Sequence, residues 1–296
     1  MTDPQQLLQQ YFGFQDFRPG QRQVIETLLQ RRSVLAVFPT GSGKSLCFQL
    51  PALALDGLTL VISPLLALMK DQVDFLQSKG IAAERWDSSK SHDDIKKLKR
   101  QIQQGALKLL YVSPERLSNE FFLNFMGQIQ IAMLVIDEAH CISEWGHNFR
   151  PEYLKLRFHA SQLQIQQFLC LTATATPQVA QDICRLFDIA PQDYVLTGFY
   201  RPNLELRHHV LEEGEAAKNR ILLERLTEQP KGATIVYVAL RHTAERVAEL
   251  LNRQGYSCRA YHAGMNSDER EKIQHWFMDS LDGIVVATIA FGLGVD

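Results

Sequence analysis

The chain has few cysteines, and they follow no metal or disulfide pattern. Five are scattered through 296 residues without any Cys-x-x-Cys spacing: Cys47, Cys141, Cys170, Cys184 and Cys258. An odd number without that spacing argues against a zinc site and against a disulfide framework. A reducing cytosol is therefore the predicted compartment, with association to the nucleoid if the organism is bacterial.

Long apolar runs and an excess charge of one sign are also missing. No segment approaches the ~20 apolar residues that a membrane-spanning helix requires. Residues 1–6 lack the basic stretch and apolar core of a signal peptide, so we expect no membrane contact. The 31 Lys and Arg residues are balanced by 33 Asp and Glu residues. Bulk charge therefore does not predict nucleic-acid binding, which would need a local groove.

A glycine-rich loop follows an early apolar run at residues 33–38. The backbone N–H groups of such a loop can cradle phosphates, a lysine can reach the β- and γ-phosphates, and a serine hydroxyl can bind Mg²⁺. Phe38 occupies the first glycine position of the strict pattern, and an ordinary strand-to-helix turn is the alternative interpretation. We predict that the loop binds nucleotide through Thr40, Gly41, Ser42, Gly43, Lys44 and Ser45.

Two adjacent acids end another apolar run further along the chain. Residues 134–136 lead into Asp137 and Glu138. One carboxylate, Asp137, can hold Mg²⁺, and the other can position or deprotonate the attacking water. A solvated strand end is the alternative, but it does not explain the Ala-His pair that completes a DEAH string. With the loop, the acids predict ATP hydrolysis, with ATP and Mg²⁺ bound and with Lys44, Asp137 and Glu138 as catalytic residues.

Short β-rich runs alternate with longer helical runs in the first two-thirds of the chain. Strands are predicted at residues 34–38, 59–62, 108–112, 132–136 and 167–171, and helices at 21–30, 65–79, 93–104 and 177–186. This alternation predicts an α/β fold in which helices cover both faces of a parallel sheet. Both motifs follow strand ends, where open α/β sheets bind ligands.

The alternation is interrupted near residues 194–205 and then restarts. Helices are predicted at residues 218–228, 241–254 and 267–278, and strands at 233–237, 259–262 and 283–287. The sequence therefore predicts two domains, 1–198 and 199–296. Because the chain stops directly after a strand, we expect the second domain to be incomplete.

The motifs stand in the order found in the RecQ family of DNA helicases, within superfamily two. The chain resembles that family over nearly its whole length. Residues 12–13 and 17–21 are similar to its opening motif, in which a glutamine and an arginine read adenine. The resemblance therefore implies that Gln21 and Arg18 recognise the base of ATP.

Three further segments resemble parts of these helicases that contact DNA or couple hydrolysis to movement. Residues 63–72 and 113–116 are similar to segments that contact the DNA backbone, and residues 171–175 to the coupling motif. The resemblance assigns DNA contact or coupling to Ser63, Pro64, Lys70, Gln72, Thr172 and Thr174. In the second domain, residues 235–237, 261–265 and 287–296 resemble later helicase motifs, with His262 expected to be a structural turn residue.

Residues 140–153 resemble the aromatic-rich loop that separates RecQ enzymes from other DEAD and DEAH proteins. Trp145, Phe149 and Arg150 offer flat surfaces on which unpaired bases can stack, and each stacked base contributes ~1–3 kcal/mol. The polar His147 and Asn148 favour this interpretation. The alternative is an aromatic cluster that packs the loop onto the core.

The resemblance implies two tandem RecA-like parallel-sheet lobes, with Mg²⁺-ATP between them. It implies an ATP-dependent DNA helicase that unwinds 3′ to 5′ in DNA repair or recombination, acting on single-stranded and partially duplex DNA. The family continues past Asp296 with arginines that reach the γ-phosphate, and lacking such an arginine costs ~10³–10⁵ in rate. Impaired hydrolysis is therefore expected.

Two alternatives remain open. The chain is a nucleotide- and DNA-binding fragment without catalysis, or half of a split protein whose cleft a second polypeptide completes. Otherwise it is an RNA helicase of the DEAD/DEAH type, against which the aromatic-rich loop argues.

Overall fold

The structure is a computed structural model that describes residues 3–145, 149–198, 204–210, 214–229, 231–288 and 291. The chain divides into two compact units, Met1–Arg201 and Pro202–Asp296. The predicted domain boundary at 198/199 stays a prediction, because residues 199–203 lie outside the described ranges.

The first unit contains a parallel sheet whose strands, within the described ranges, are β1 (Val34–Val37), β2 (Leu58–Ile62), β3 (Ala83–Trp86), β4 (Leu109–Val112), β5 (Ile131–Ile136), β6 (Phe168–Thr172) and β7 (Tyr194–Leu196). Their spatial order is β3-β4-β2-β5-β6-β1-β7. Every residue of β1, β2, β4 and β6 is buried. Because a parallel sheet is covered on both faces, such strands are continuous apolar runs rather than alternating ones.

Helices cover both faces of this sheet. They are α1 (Pro4–Leu7), α2 (Gln21–Leu29), α3 (Leu46–Ala54), α4 (Leu66–Ser78), α5 (His92–Gln103), α6 (Glu120–Met126), α7 (Pro151–Leu154), α8 (Leu156–Gln162) and α9 (Pro177–Leu186). The first four pack on one face, with Val34 and Ala36 of β1, and the other five pack on the opposite face, with Leu35 and Val37. This arrangement confirms the predicted α/β fold.

The second unit has a smaller parallel sheet of its own. Within the described residues it contains α10 (Glu215–Glu228), β8 (Thr234–Tyr237), α11 (Arg241–Arg253), β9 (Cys258–Tyr261), α12 (Ser267–Asp279) and β10 (Ile284–Ala287), with the strand order β8-β10-β9. The predicted helices and strands of both units are confirmed to within one residue at each end, except that α10 begins three residues before the predicted 218.

The sequence did not predict β3 and β7, which lie at the two edges of the larger sheet. The β3 strand carries Glu84 and Arg85 at its centre, and β7 is only three residues long. Edge strands tolerate charged side chains because one side of the strand has no neighbour, so the apolar pattern that identifies a central strand is lost. Among the described residues, no helix is long and apolar enough to cross a membrane.

Candidate active site

The strand order brings the predicted catalytic segments to one edge of the larger sheet. Strands β2, β5, β6 and β1 are consecutive neighbours, and all of them are parallel. Ser63 follows β2, Asp137 follows β5, Thr172 ends β6 and Pro39 begins the loop two residues after β1. The carboxyl ends of these strands therefore present the loop, the acids and the coupling segment side by side, where open α/β sheets bind ligands.

The glycine-rich loop leads directly into a helix. Gly41 and Gly43 have φ angles of +76° and +78°, which residues with a Cβ rarely adopt. Ser45 then occupies the N-cap position of α3, and its side chain makes no capping hydrogen bond within the described structure. The first N–H groups of α3 donate to backbone carbonyl oxygens of the loop, Leu46 to Gly43 at 3.2 Å and Cys47 to Lys44 at 3.0 Å. A helix N-terminus directly after a glycine-rich loop is a place where proteins bind phosphate, and phosphate binding by these groups stays a prediction.

The Lys44 side chain folds back over the loop. Its Nζ donates to the carbonyl oxygens of Phe38 and Pro39, each at 3.3 Å. The Ser42 hydroxyl also donates to Pro39, at 2.7 Å, and Thr40 is exposed at the tip. These bonds hold the Lys44 charge beside the first carbonyl groups of the loop, and its contact with phosphate stays a prediction.

Gln21 and Arg18 lie against the same loop. Gln21 is 2% exposed, and its Nε2 donates to the carbonyl oxygens of Ser42 at 3.2 Å and Gly43 at 2.9 Å. Its Oε1 accepts from the Arg18 backbone N–H at 2.8 Å, and the Arg18 guanidinium donates to the Gly41 carbonyl. Both side chains therefore support the loop's conformation, and their contact with adenine stays a prediction.

The space around Gly43 makes a direct test of the loop. An added Cβ would lie 2.7 Å from Gln21 Nε2, whereas Gly80, at φ +72°, has nothing within 4 Å of the same position. We expect Gly43→Ala and Gly80→Ala each to cost about 1–2 kcal/mol of stability through the left-handed backbone. Only Gly43→Ala is expected to weaken ATP binding, by tenfold or more, in a titration with a fluorescent ATP analogue. Equal affinities in the two variants would argue against phosphate binding here.

Gly20 is a residue whose importance the sequence did not reveal. It has φ +80°, and an added Cβ would lie 2.8 Å from Phe38 Cζ and 2.6 Å from Thr197 Cγ2. Phe38, which replaces the first glycine of the strict loop pattern, is fully buried. The ring of Phe38 thus occupies the space that a side chain at position 20 would need. A contact between residues so far apart in sequence leaves no local signal.

The Asp137 carboxylate is held in a fixed orientation. Its Oδ2 accepts from the Ser63 hydroxyl at 3.0 Å, its Oδ1 accepts from the Glu138 backbone N–H at 3.0 Å, and its backbone carbonyl accepts from Tyr153 Oη at 3.0 Å. Burial and then the Glu138 charge raise the pKa of Asp137 to about 6, against the opposing effects of Ser63, the Glu138 N–H and the Lys44 charge. The Lys44 charge is thus one of the groups that act on the Asp137 carboxylate.

Glu138 has an unusual backbone conformation. Its φ is +51°, in the left-handed region that a residue with a Cβ seldom occupies. Its carboxylate Oε2 lies 3.2 Å from His140 Nδ1. Backbone strain of this kind costs about 1–3 kcal/mol and is concentrated at functional sites. A 3-10 turn, Ala139–Ile142, begins directly after Glu138.

His140 connects the acids to the coupling segment. Its Nδ1 lies 2.9 Å from Thr172 Oγ1. The Thr172 hydroxyl donates to the Thr174 carbonyl at 3.0 Å and accepts from the Thr174 N–H at 3.2 Å. Burial lowers the pKa of His140, but hydrogen bonds with Cys141 and Glu138 outweigh it and raise the pKa to about 9. A charged imidazole thus lies between Glu138 and Thr172. Thr172 is buried and Thr174 is exposed.

The donor set suits Mg²⁺ accompanied by a nucleotide. Among the described residues there is no group of three His, Cys, Asp or Glu side chains that could hold a metal ion alone. Mg²⁺ is usually bound through one or two carboxylates together with substrate phosphates and waters. Asp137 and Ser45 are the residues that fit this role, since one offers an oriented carboxylate and the other a hydroxyl at the loop's end.

The predicted DNA-contact residues in and just before α4 differ in their surroundings. Lys70 is exposed and Pro64 is half-buried. Gln72 Oε1 accepts from Nε2 of the buried Gln49 on α3 at 2.7 Å. The structure thus ties Gln72 to the helix that follows the phosphate loop, and the DNA contact of all four residues, Ser63 included, stays a prediction.

The aromatic-rich loop begins close to the acids. Trp145 is 76% exposed, so the alternative that it packs the loop onto the core is wrong for this side chain. Phe149 and Arg150 are half-buried, and the Arg150 N–H donates to the Cys141 carbonyl at 3.0 Å. His147 and Asn148 lie outside the described residues. The exposed indole is free to stack on a base.

Comparison with known proteins agrees with this geometry. The family profile described as DEAD/DEAH box helicase matches residues 18–183, more than half of the chain, and the helicase conserved C-terminal domain matches residues 217–296. The chain is similar to the solved structure of Mycobacterium smegmatis helicase Lhr bound to ssDNA and AMP-PNP, with a TM-score of 0.66 and 18% sequence identity. The similarity covers 100% of this chain and 43% of that chain. This likeness supports the fold of two RecA-like lobes.

Curated relatives are closer in sequence. The ATP-dependent DNA helicase RecQ of Haemophilus influenzae is 42% identical over 98% of this chain and 46% of its own length. The protein of the same name from Bacillus subtilis is 41% identical over 99% of this chain and 49% of its own length. The chain thus spans about half the length of these relatives. The predicted RecQ resemblance is confirmed: the chain belongs to the DEAD/DEAH box helicase family and has a RecQ-type helicase core.

Proposed function

We propose that this chain is the motor core of an ATP-dependent DNA helicase of the RecQ type. It hydrolyses Mg²⁺-ATP and couples the reaction to 3′-to-5′ movement along single-stranded DNA, and so unwinds partially duplex DNA in repair or recombination. The observation that carries the proposal is that Lys44, Asp137 and Glu138 follow the carboxyl ends of β1 and β5, which are separated by β6 alone, so that the charge of Lys44 acts on Asp137.

Each residue of the site has a distinct task. The loop amides and Lys44 stabilise negative charge on the transferred phosphoryl group, since hydrolysis of ATP is catalysed mainly by positioning and electrostatics. Asp137 and Ser45 hold the metal ion, which neutralises phosphate charge when bound. Glu138 orients the attacking water and accepts its proton, and His140, whose Nδ1 lies 3.2 Å from Glu138 Oε2, keeps the Glu138 carboxylate oriented.

ATP turnover measured with and without single-stranded DNA tests the proposal. We expect turnover that rises severalfold or more with DNA, and strand separation on a DNA duplex with a 3′ overhang. Faster unwinding of an RNA duplex of the same sequence would favour the RNA helicase alternative. Absence of turnover, with ATP and DNA still bound, would instead identify a binding fragment or one half of a split protein.

Replacing Trp145 separates DNA response from basal chemistry. We expect Trp145→Ala to leave basal ATP turnover within about twofold. The DNA concentration needed for half-maximal stimulation should rise about 5- to 100-fold, because one stacked base contributes ~1–3 kcal/mol. Phe158→Ala is the matched control, since that ring is 63% exposed on α8. Equal DNA responses in the two variants would exclude Trp145 from DNA binding.

A further inference from the structure

The loop that carries Trp145 is fastened to α9 by side-chain hydrogen bonds. The Trp145 backbone N–H donates to Ser143 Oγ at 3.3 Å, and the Ser143 hydroxyl donates to Asp182 Oδ2 at 2.7 Å. Ser143 is buried and Asp182 is half-buried. Two consecutive hydrogen bonds thus join the backbone of an exposed tryptophan to α9, the helix that follows the coupling segment in the chain.

The Asp182 carboxylate is itself immobilised. Its second oxygen, Oδ1, accepts from Gln178 Nε2 at 3.1 Å, one turn earlier on α9. This helix begins at Pro177, and its N-cap Thr176 accepts from the Val179 N–H. The coupling residues Thr172 and Thr174 come just before that cap. The coupling segment therefore leads directly into the helix that carries Asp182.

Packing does not place the Trp145 side chain, because three-quarters of its surface is exposed. The indole lines an open groove of about 440 Å³ together with Leu154, Asp182 and Arg185. The position of the indole therefore depends on the Trp145 backbone. The hydrogen bond from the Trp145 N–H to Ser143 Oγ restrains this backbone. The acceptor that orients the Ser143 hydroxyl is Asp182.

We propose that Asp182 is a positioning residue that holds the backbone from Ser143 to Trp145 in its DNA-binding arrangement and links Trp145 to the helix that follows the coupling segment. The inference rests on the proposed function, in which Trp145 stacks on a base. Asp182 acts through Ser143 and contacts neither the phosphate loop nor the acids among the described hydrogen bonds and ion pairs. It should therefore influence the DNA response while basal hydrolysis is unchanged.

Substitutions at both ends of the bond test this inference. In Asp182→Ala and in Ser143→Ala, we expect basal ATP turnover within about twofold of the parent chain. The DNA concentration for half-maximal stimulation should rise about 3- to 10-fold, the range that loss of one hydrogen bond produces. The double variant should be no worse than either single one, because both remove the same interaction. Asp182→Asn keeps an acceptor oxygen and should restore most of the response.

Asp188→Ala is the matched control. Asp188 lies just past α9, its side chain is 78% exposed, and it pairs with Arg157. The substitution therefore removes the same charge at a position that is not bonded to Ser143 in the described structure. A DNA response in Asp182→Ala equal to that of Asp188→Ala would overturn the inference. Additive losses in the double variant would do the same. If Asp182→Ala fails to fold, Ser143→Ala and Asp182→Asn still give the comparison.

Tryptophan fluorescence provides a readout that a general loss of stability would not change. The Trp145 contribution is the emission lost in Trp145→Phe, since Trp86 and Trp276 remain. We expect Asp182→Ala to alter acrylamide quenching of that contribution even without DNA. A parent chain that shows no DNA-stimulated turnover would count against the proposed function. Unaltered quenching in Asp182→Ala would count against the positioning role.

Discussion

Replacing Glu138 with glutamine is expected to lower ATP turnover by about 10²–10⁴-fold, the contribution that a positioned general base usually makes. Glutamine keeps the length of the side chain and an oxygen that can accept from His140 Nδ1, which lies 3.2 Å from Glu138 Oε2. It loses the negative charge that takes up a proton from water. ATP binding should persist, because the loop and Lys44 are untouched.

The measurement pairs turnover with binding. Steady-state phosphate release gives kcat, and titration with a fluorescent ATP analogue gives the affinity. Glu120→Gln is the control, since this exposed glutamate in the first turn of α6 undergoes the same chemical change away from the sheet edge. If Glu138→Gln turned over ATP as fast as Glu120→Gln, another group would have to activate the water. A loss of both turnover and binding would point to a disrupted loop.

The strained backbone at Glu138 allows a second measurement on the glutamine variant, which separates loss of catalysis from loss of stability. Its φ is +51°, a 3-10 turn at Ala139–Ile142 follows directly, and within the described residues the Glu138 side chain makes no capping hydrogen bond to that turn. The glutamine variant should therefore keep the melting temperature of the parent chain to within a few degrees. A large drop in melting temperature would show that the charge of Glu138, through its pairing with His140, is needed for the fold of this turn.

The sequence identified the candidate catalytic segments because their signals are local. The glycines of the loop, the lysine that follows them and the two acids after a buried strand are adjacent in the chain, and each type of residue is required by its chemistry. Buried central strands are equally local signals, since they are continuous apolar runs. The order of the strands in the sheet, which makes these segments neighbours, was not predicted from the sequence and is seen only in the structure.

The rest of the site depends on contacts between distant residues. Gln49 on α3 donates to Gln72 on α4, and Ser143 donates to Asp182 on α9. Neither pair has a spacing that a sequence pattern could reveal, because the two members belong to different helices or loops. Gln72 illustrates the consequence: its family resemblance suggests DNA contact, whereas its oxygen is bonded to the helix behind the phosphate loop.

Replacing Lys44 with alanine is expected to reduce ATP turnover by at least about 10²–10³-fold, the effect of removing one preorganised donor from a developing negative charge. Lys44 Nζ is held 3.3 Å from the carbonyl oxygens of Phe38 and Pro39, so it is in place beside the loop before any phosphate arrives. ATP affinity should fall as well, since in the proposed function the lysine contacts the phosphates in both the ground state and the transition state.

Lys108 provides an unusually close control for this variant. It is half-buried, and its Nζ donates to the Leu55 carbonyl at 3.2 Å, so Lys108→Ala also removes an ammonium-to-carbonyl hydrogen bond. It lies just before β4, at the opposite end of the strands from the acids. Both variants should lose similar stability, and only Lys44→Ala should lose turnover. Unchanged turnover in folded Lys44→Ala would contradict the assignment of the loop, whereas equal losses in the two variants would show that stability, not phosphate chemistry, had been measured.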